Sequence, residues 1–241
     1  MPRADRLPFK YRSRLLGSPP VSARHVEWSA IASTDDEQAQ PTDQLLGLAL
    51  AAAERARHLR LDDIADRCST PLEASWVNQW PGEHYRLLAA LVEVAGVDRA
   101  IEVGTYTGMG ALALAGPGAV VQTYDLVPWD QIANTLLRHE DFEGRISQRI
   151  GDLASADYFD SQLEDLRAAD LILVDGPKDG VFEPAFLSRL LAVLRAGQVL
   201  VVDDIRKLQM LQTWRDLPLS KLDVTSLGHW SGTGLAIASP K

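Results

Sequence analysis

The chain has 241 residues, of which 46% are hydrophobic and 24% charged. Those proportions exclude disordered, collagen-like and coiled-coil proteins, and the length suits one large domain, or one domain with an appendage, and not a multi-domain assembly. Net charge is −9, which argues against a nucleic-acid partner because phosphate contacts need clustered Lys and Arg.

No apolar run reaches the roughly 18 residues of a membrane span, and the N-terminus lacks a signal-peptide stretch, so a cytoplasmic protein with no membrane partner is expected. Cys68 is the only cysteine, and any bound metal must therefore be held by oxygen or imidazole ligands.

Residues 1–42 read as an irregular arm rich in Pro, Ser, Asp and Gln. Its first 25 residues are near +5, which leaves the remainder near −14. Such an arm is more useful clasping a second subunit than alone, so a homodimer stays open. Residues 43–96 read as N-terminal helices, a cap or dimer contact: one from Gln44 to about Arg67 with Thr42 or Asp43 as N-cap, another from Gly82 to Ala95.

From residue 97 to 241 the pattern is that of a catalytic domain. Short apolar runs (Ala100–Val103, Ala119–Tyr124, Ile146–Ile150, Leu171–Val174, Val199–Val202) alternate with helical stretches at Gly108–Ala115, Trp129–His139 and Pro184–Leu194. Continuous apolar strands joined by helices imply a doubly wound, mostly parallel α/β sheet. Leu222–Leu227 and Thr233–Ala238 read as a terminal antiparallel hairpin that completes seven strands. Its tip falls at the carboxyl edge of the sheet.

The segment Ile101-Glu102-Val103-Gly104-Thr105-Tyr106-Thr107-Gly108-Met109-Gly110 stands where a strand turns into a helix. Glycines let the backbone turn tightly there, and the crevice at strand ends is where open parallel sheets bind ligands. The spacing is G-x-x-x-G-x-G and not the dinucleotide G-x-G-x-x-G, which counts against a nicotinamide-dependent oxidoreductase. Asp125 ends the next strand 21 residues after Gly104, a distance that suits a ribose ligand, and Asp152 follows the third. Two further strand ends carry Asp175-Gly176-Pro177-Lys178-Asp179 and Asp203-Asp204. If those strands pair, their ends lie about 5 Å apart and three carboxylates converge. Such groups repel unless protonated or neutralised, and a hard divalent cation resolves the conflict. A turn at Asp175 and a helix cap at Asp204, opening a helix over Ile205–Trp214, is the other reading.

The order of these motifs resembles the class I S-adenosylmethionine-dependent methyltransferases over roughly residues 80–240, and within them the cation-dependent catechol and caffeoyl-coenzyme A O-methyltransferases. The resemblance implies that Glu102, Gly104, Tyr106 and Gly108 line the methionine side of S-adenosyl-L-methionine, Asp125 its ribose and Asp152 its adenine. It implies Mg2+ or another divalent cation on Asp175, Asp203 and Asp204, with Lys178 at the general-base position beside Asp175. The family usually has Asn where this chain has Asp204. His84, Trp129, His229 and Trp230 are candidates for contact with a small hydroxylated substrate, phenolic, polyketide or sugar. A metal-independent methyltransferase and a non-catalytic cofactor-binding protein are the alternatives.

Overall fold

The computed structural model describes residues 39–207 and 209–239. Expectations placed on the basic arm therefore lie outside the described residues. The rest is built on one seven-stranded sheet: β1 (Arg99–Val103), β2 (Val120–Asp125), β3 (Ile146–Ile150), β4 (Leu171–Val174), β5 (Val199–Asp203), β6 (Ser220–Asp223) and β7 (Thr233–Ile237). The strand order is β3-β2-β1-β4-β5-β7-β6. Neighbours from β3 through β5 pair in parallel, and β7 runs antiparallel to both β5 and β6. After β3 the chain returns to the other side of β1, so the crevice opens between the ends of β1 and β4, where the winding reverses.

Side chains alternate along each strand and feed two cores. Leu171 and Leu173 pack with the layer formed by α1 (Asp43–Ala56), α4 (Tyr85–Ala95) and α5 (Met109–Ala115). Ile172 and Val174 pack on the opposite face with Phe159, Leu166, Phe186 and Trp214. These come from α7 (Ala156–Ser161), α8 (Leu163–Ala168), α9 (Phe182–Val193) and α10 (Met210–Asp216). Burial on both faces explains the continuous apolar strands. Among the described residues no helix is long and apolar enough to cross a membrane.

Thr42 caps α1 as expected, its side chain accepting from Leu45 N at 3.3 Å. The helix stops at Ala56 and does not reach Arg67; a short α2 (Asp62–Ala65) follows. Buried Arg86 explains the stop. Its guanidinium donates to Ala56 O (2.9 Å), Arg57 O (2.7 Å) and Asn78 O (2.9 Å), which satisfies carbonyls at the ends of α1 and of α3 (Pro71–Asn78). Helix α3 was not anticipated, although Thr70-Pro71-x-Glu73 forms its capping box.

The expected helix over Trp129–His139 is instead a single 3₁₀ turn (Trp129–Gln131), an irregular stretch and a short α6 (His139–Glu143). Leu136 N bonds Thr107 O at 2.9 Å, and a side chain at Gly108 would collide with Leu137, so the stretch folds over the glycine turn. The helix expected from Ile205 begins only at Met210, which leaves Asp204 in a turn and not at a helix N-cap. The hairpin's first strand begins earlier than expected, at Ser220, and a nine-residue loop joins β6 to β7.

Candidate active site

The β1 ladder continues into the turn, with Gly104 N donating to Tyr124 O and Asp175 N to Val103 O, each at 2.8 Å. Gly104 takes φ +103°, and a side chain there would meet the Asp175 carbonyl; the glycine lets the β1 and β4 ends approach each other. Gly108 takes φ +85° just before α5. Beside this turn opens a cavity of about 380 Å³ lined by Gly104, Tyr106, Asp125, Leu126, Asp175 and Phe182, among others. Asp125 is fixed in its wall, Oδ2 accepting from Tyr106 N (3.0 Å) and Oδ1 from Leu126 N (2.7 Å) and Val127 N (3.1 Å).

The structure places Gly104, Tyr106 and Asp125 on this cavity and three of their expected companions elsewhere. Glu102 is buried behind the turn, accepting from Thr123 Oγ1 at 2.6 Å; burial raises its pKa well above the ordinary carboxylate range. A side chain at Gly110 would strike it. Gly108 is covered by Leu137. Asp152 is exposed and spends its carboxylate on Ala154 N at 2.8 Å, while its neighbours Gly151 and Leu153 line the cavity.

A larger cavity, about 490 Å³, lies at the opposite strand ends beside α1 and Val199. Its two charged groups serve backbone: Asp170 accepts from Asp98 N and Arg99 N, and Arg195 donates to Ala169 O. That occupation leaves it poor in free chemistry.

Past the ends of β4 and β5 the chain gathers its charged groups. Lys178 Nζ bonds Asp175 Oδ1 and lies 3.7 Å from Asp203 Oδ2 and 3.6 Å from Asp204 Oδ2. The three carboxylates thus converge as the sequence implied, and the positive charge among them is the chain's own ammonium. Lys178 sits at φ +56°, held by its N–H to buried Glu183 Oε1 at 2.7 Å. Burial works against its charge, but Asp175 and Asp203 outweigh burial and raise its pKa above that of an ordinary lysine. Burial, then Asp203, raise the pKa of Asp175.

The other oxygens of the β5 pair face imidazoles. His84 Nδ1 lies 3.1 Å from Asp203 Oδ1; His229 Nδ1 lies 3.4 Å from that oxygen and 3.5 Å from Asp204 Oδ1. Ser231 Oγ bonds Asp204 Oδ1 and lies 2.7 Å from His229 Nδ1, and His229 Nε2 meets Glu83 Oε2 at 2.9 Å. Burial opposes charge on Asp203, yet His84 and His229 hold its pKa well below the usual range. Asp204 is held at about 2, chiefly by His229 against burial. Despite burial, Asp203, Asp204 and Glu83 lift His229 to about 11, and Asp203 raises His84.

Of the four candidate substrate contacts, the structure brings His84 and His229 to the cluster. Trp129 does not reach it and stacks on Phe142 (4.9 Å between centroids), while Trp230 projects beside His229, 76% exposed. Sequence reasoning did not select Glu83, Ser231 or Glu183. The first two directly precede or closely follow selected histidines, which is the only signal they carried.

Among the described residues, the group of three whose ligand atoms all lie within 4.8 Å of one another is His84, Asp203 and His229. Asp175 and Asp204 fall outside it. The three carboxylates expected to hold a cation surround the Lys178 ammonium.

A doubly wound sheet with β7 reversed, a cavity at the β1–β4 switch point and an acid cluster beyond it define the methyltransferase class. A family model described as O-methyltransferase matches residues 69–209, and the chain belongs to this family of S-adenosylmethionine-dependent enzymes. No curated protein matches. Among solved structures, a candidate caffeoyl-CoA O-methyltransferase from Staphylococcus aureus is similar at 16% identity and TM-score 0.54, over 80% of this chain and 100% of that one. The O-methyltransferase from Bacillus cereus, in complex with SAH, is similar at 20% identity and TM-score 0.52, over 88% and 99%. Cofactor-bound Rv0187 from MTB gives 23% identity and TM-score 0.51, over 83% and 92%. These are likenesses of fold.

Proposed function

We infer that this chain transfers a methyl group from S-adenosylmethionine to a hydroxyl of a small cytoplasmic molecule, of phenolic, polyketide or sugar type. One residue carries the reading. Asp175 lines the cavity beside the glycine turn and also bonds Lys178, so donor cavity and charged cluster share a wall. The named SAH complex and cofactor-bound neighbour support the choice of donor.

The reaction is an in-line displacement: the acceptor oxygen bonds the methyl carbon, the carbon–sulfur pair returns to sulfur, and the hydroxyl proton must leave. Positioning supplies most of the acceleration. For Lys178, expected as the base, Asp175 and Asp203 raise the pKa and so favour its ammonium form. Asp175, whose pKa is raised, is the better proton acceptor, and the Lys178 ammonium stabilises the oxygen as it becomes anionic. A divalent cation near the acceptor belongs to this reading, since it lowers the pKa of a hydroxyl. Asp175, Asp203 and Asp204 are the residues that would hold it, and proton transfer is assigned to Asp175 of the chain itself.

The test is titration with SAH by calorimetry, then a screen of phenolic and carbohydrate acceptors with methyl-labelled donor. Binding followed by label transfer to oxygen supports the reading; absence of donor binding removes it.

A further inference from the structure

Asp203 and Asp204 each turn one oxygen toward Lys178 and the other toward the histidines. The lysine side faces the Lys178 ammonium, and Lys207 Nζ lies 3.4 Å from Asp204 Oδ2. On the other side both nitrogens of His84, which is 3% exposed, and Asp203 Oδ1 are buried without a hydrogen-bond partner; the His84–Asp203 approach is close enough for an ion pair but off the line of a hydrogen bond. Orphaned polar atoms in a buried site are costly, and a ligand that satisfies several at once removes that cost. Ligands about 2.0–2.2 Å from a tetrahedral ion stand roughly 3.3–3.5 Å from one another. The observed nitrogen-to-oxygen separations are 3.1 and 3.4 Å. Two imidazoles from separate elements, the start of α4 and the β6–β7 loop, thus meet one carboxylate from the end of β5 with metal-site spacing.

We propose that His84, Asp203 and His229 bind a divalent first-row transition cation, of the zinc, cobalt or iron(II) type, in preference to magnesium. Imidazole nitrogen suits those ions, whereas magnesium prefers an all-oxygen shell. Glu83 serves as the outer partner of His229 through Nε2, and Nδ1 gives up its contact with Ser231 Oγ to ligate the ion. The ion's use in catalysis rests on the methyl-transfer reading; its binding does not.

The probe is Co2+ added to the chelator-treated full chain and followed by visible absorption, which is strong for low-coordinate nitrogen-containing sites and faint for octahedral oxygen ones. The wild type is expected to bind one ion with strong absorption that about a hundredfold excess of Mg2+ does not displace. His229→Ala, in a loop, should lower Co2+ affinity at least about tenfold and abolish the strong band, as should His84→Ala if it folds. Asp175→Asn should keep the band. Absence of a strong band in the wild type, or one that survives His229→Ala, overturns the proposal and leaves an ion-paired network. SAH calorimetry on the same samples reports separately on the methyltransferase reading.

Discussion

His229 Nε2 meets Glu83 Oε2 at 2.9 Å, which ties the β6–β7 loop to the residue before His84, itself just ahead of α4. That contact helps lift His229 from 6.5 to about 11. A histidine raised in the folded state contributes stability that is complete below its unfolded pKa and is lost as pH climbs through the folded one. The window is therefore about pH 6.5 to 11. In chelator-treated protein, Glu83→Gln should lower the His229 pKa seen by NMR and bring the loss of stability to lower pH. An unmoved histidine titration would show that Glu83 is not its partner in solution.

Lys178→Ala should leave SAH affinity unchanged, because Lys178 does not line the donor cavity, and should slow turnover at least about tenfold. It also removes the ammonium that Asp175, Asp203 and Asp204 share, leaving Asp204 with Lys207 at 3.4 Å, so the melting temperature should fall. Mg2+ should restore more of that loss in the variant than it adds to the wild type. Equal responses to Mg2+ would mean that the carboxylates do not depend on the lysine charge.

The strands were legible because buried parallel strands are apolar throughout, as in Leu171–Val174, and the glycine turn because its spacing is confined to a few residues. The α1 stop was not, since it depends on Arg86, 30 positions beyond Ala56. The convergence of Asp175, Asp203 and Asp204 followed from strand order. What lies between them did not: the reach of a lysine side chain and the seating of His84 and His229 on Asp203 are set by packing of α4 and by a loop, which leave no period in the sequence.

Glu102 offers a test of whether the acidic residue before the glycine turn touches the donor. Its buried carboxyl bonds Thr123 Oγ1, and burial raises its pKa well above 4.5. A carboxyl with a raised folded pKa binds protons more tightly folded than unfolded, so stability is lost as pH rises above about 4.5. Glu102→Gln should flatten that loss between pH 4.5 and neutrality and keep SAH affinity within about threefold. A drop of tenfold or more would place Glu102 against the donor.

Arg86 ties the end of α1 to the end of α3. Its guanidinium serves three carbonyls at the ends of α1 and α3, and Trp80 lies 5.8 Å from it in cation–π contact. Arg86→Met keeps much of the stem's packing but leaves these acceptors without a donor, at about 1–3 kcal/mol for each buried group left unsatisfied. Solvent reaches part of the set, so a total near 3 kcal/mol is expected by urea denaturation. Hydrogen exchange should rise at the last turn of α1 and in α3 while β1, β4 and β5 stay protected. Uniform loss of protection across sheet and helices would instead make Arg86 part of the global core, and the helix-ending role assigned to it would fail.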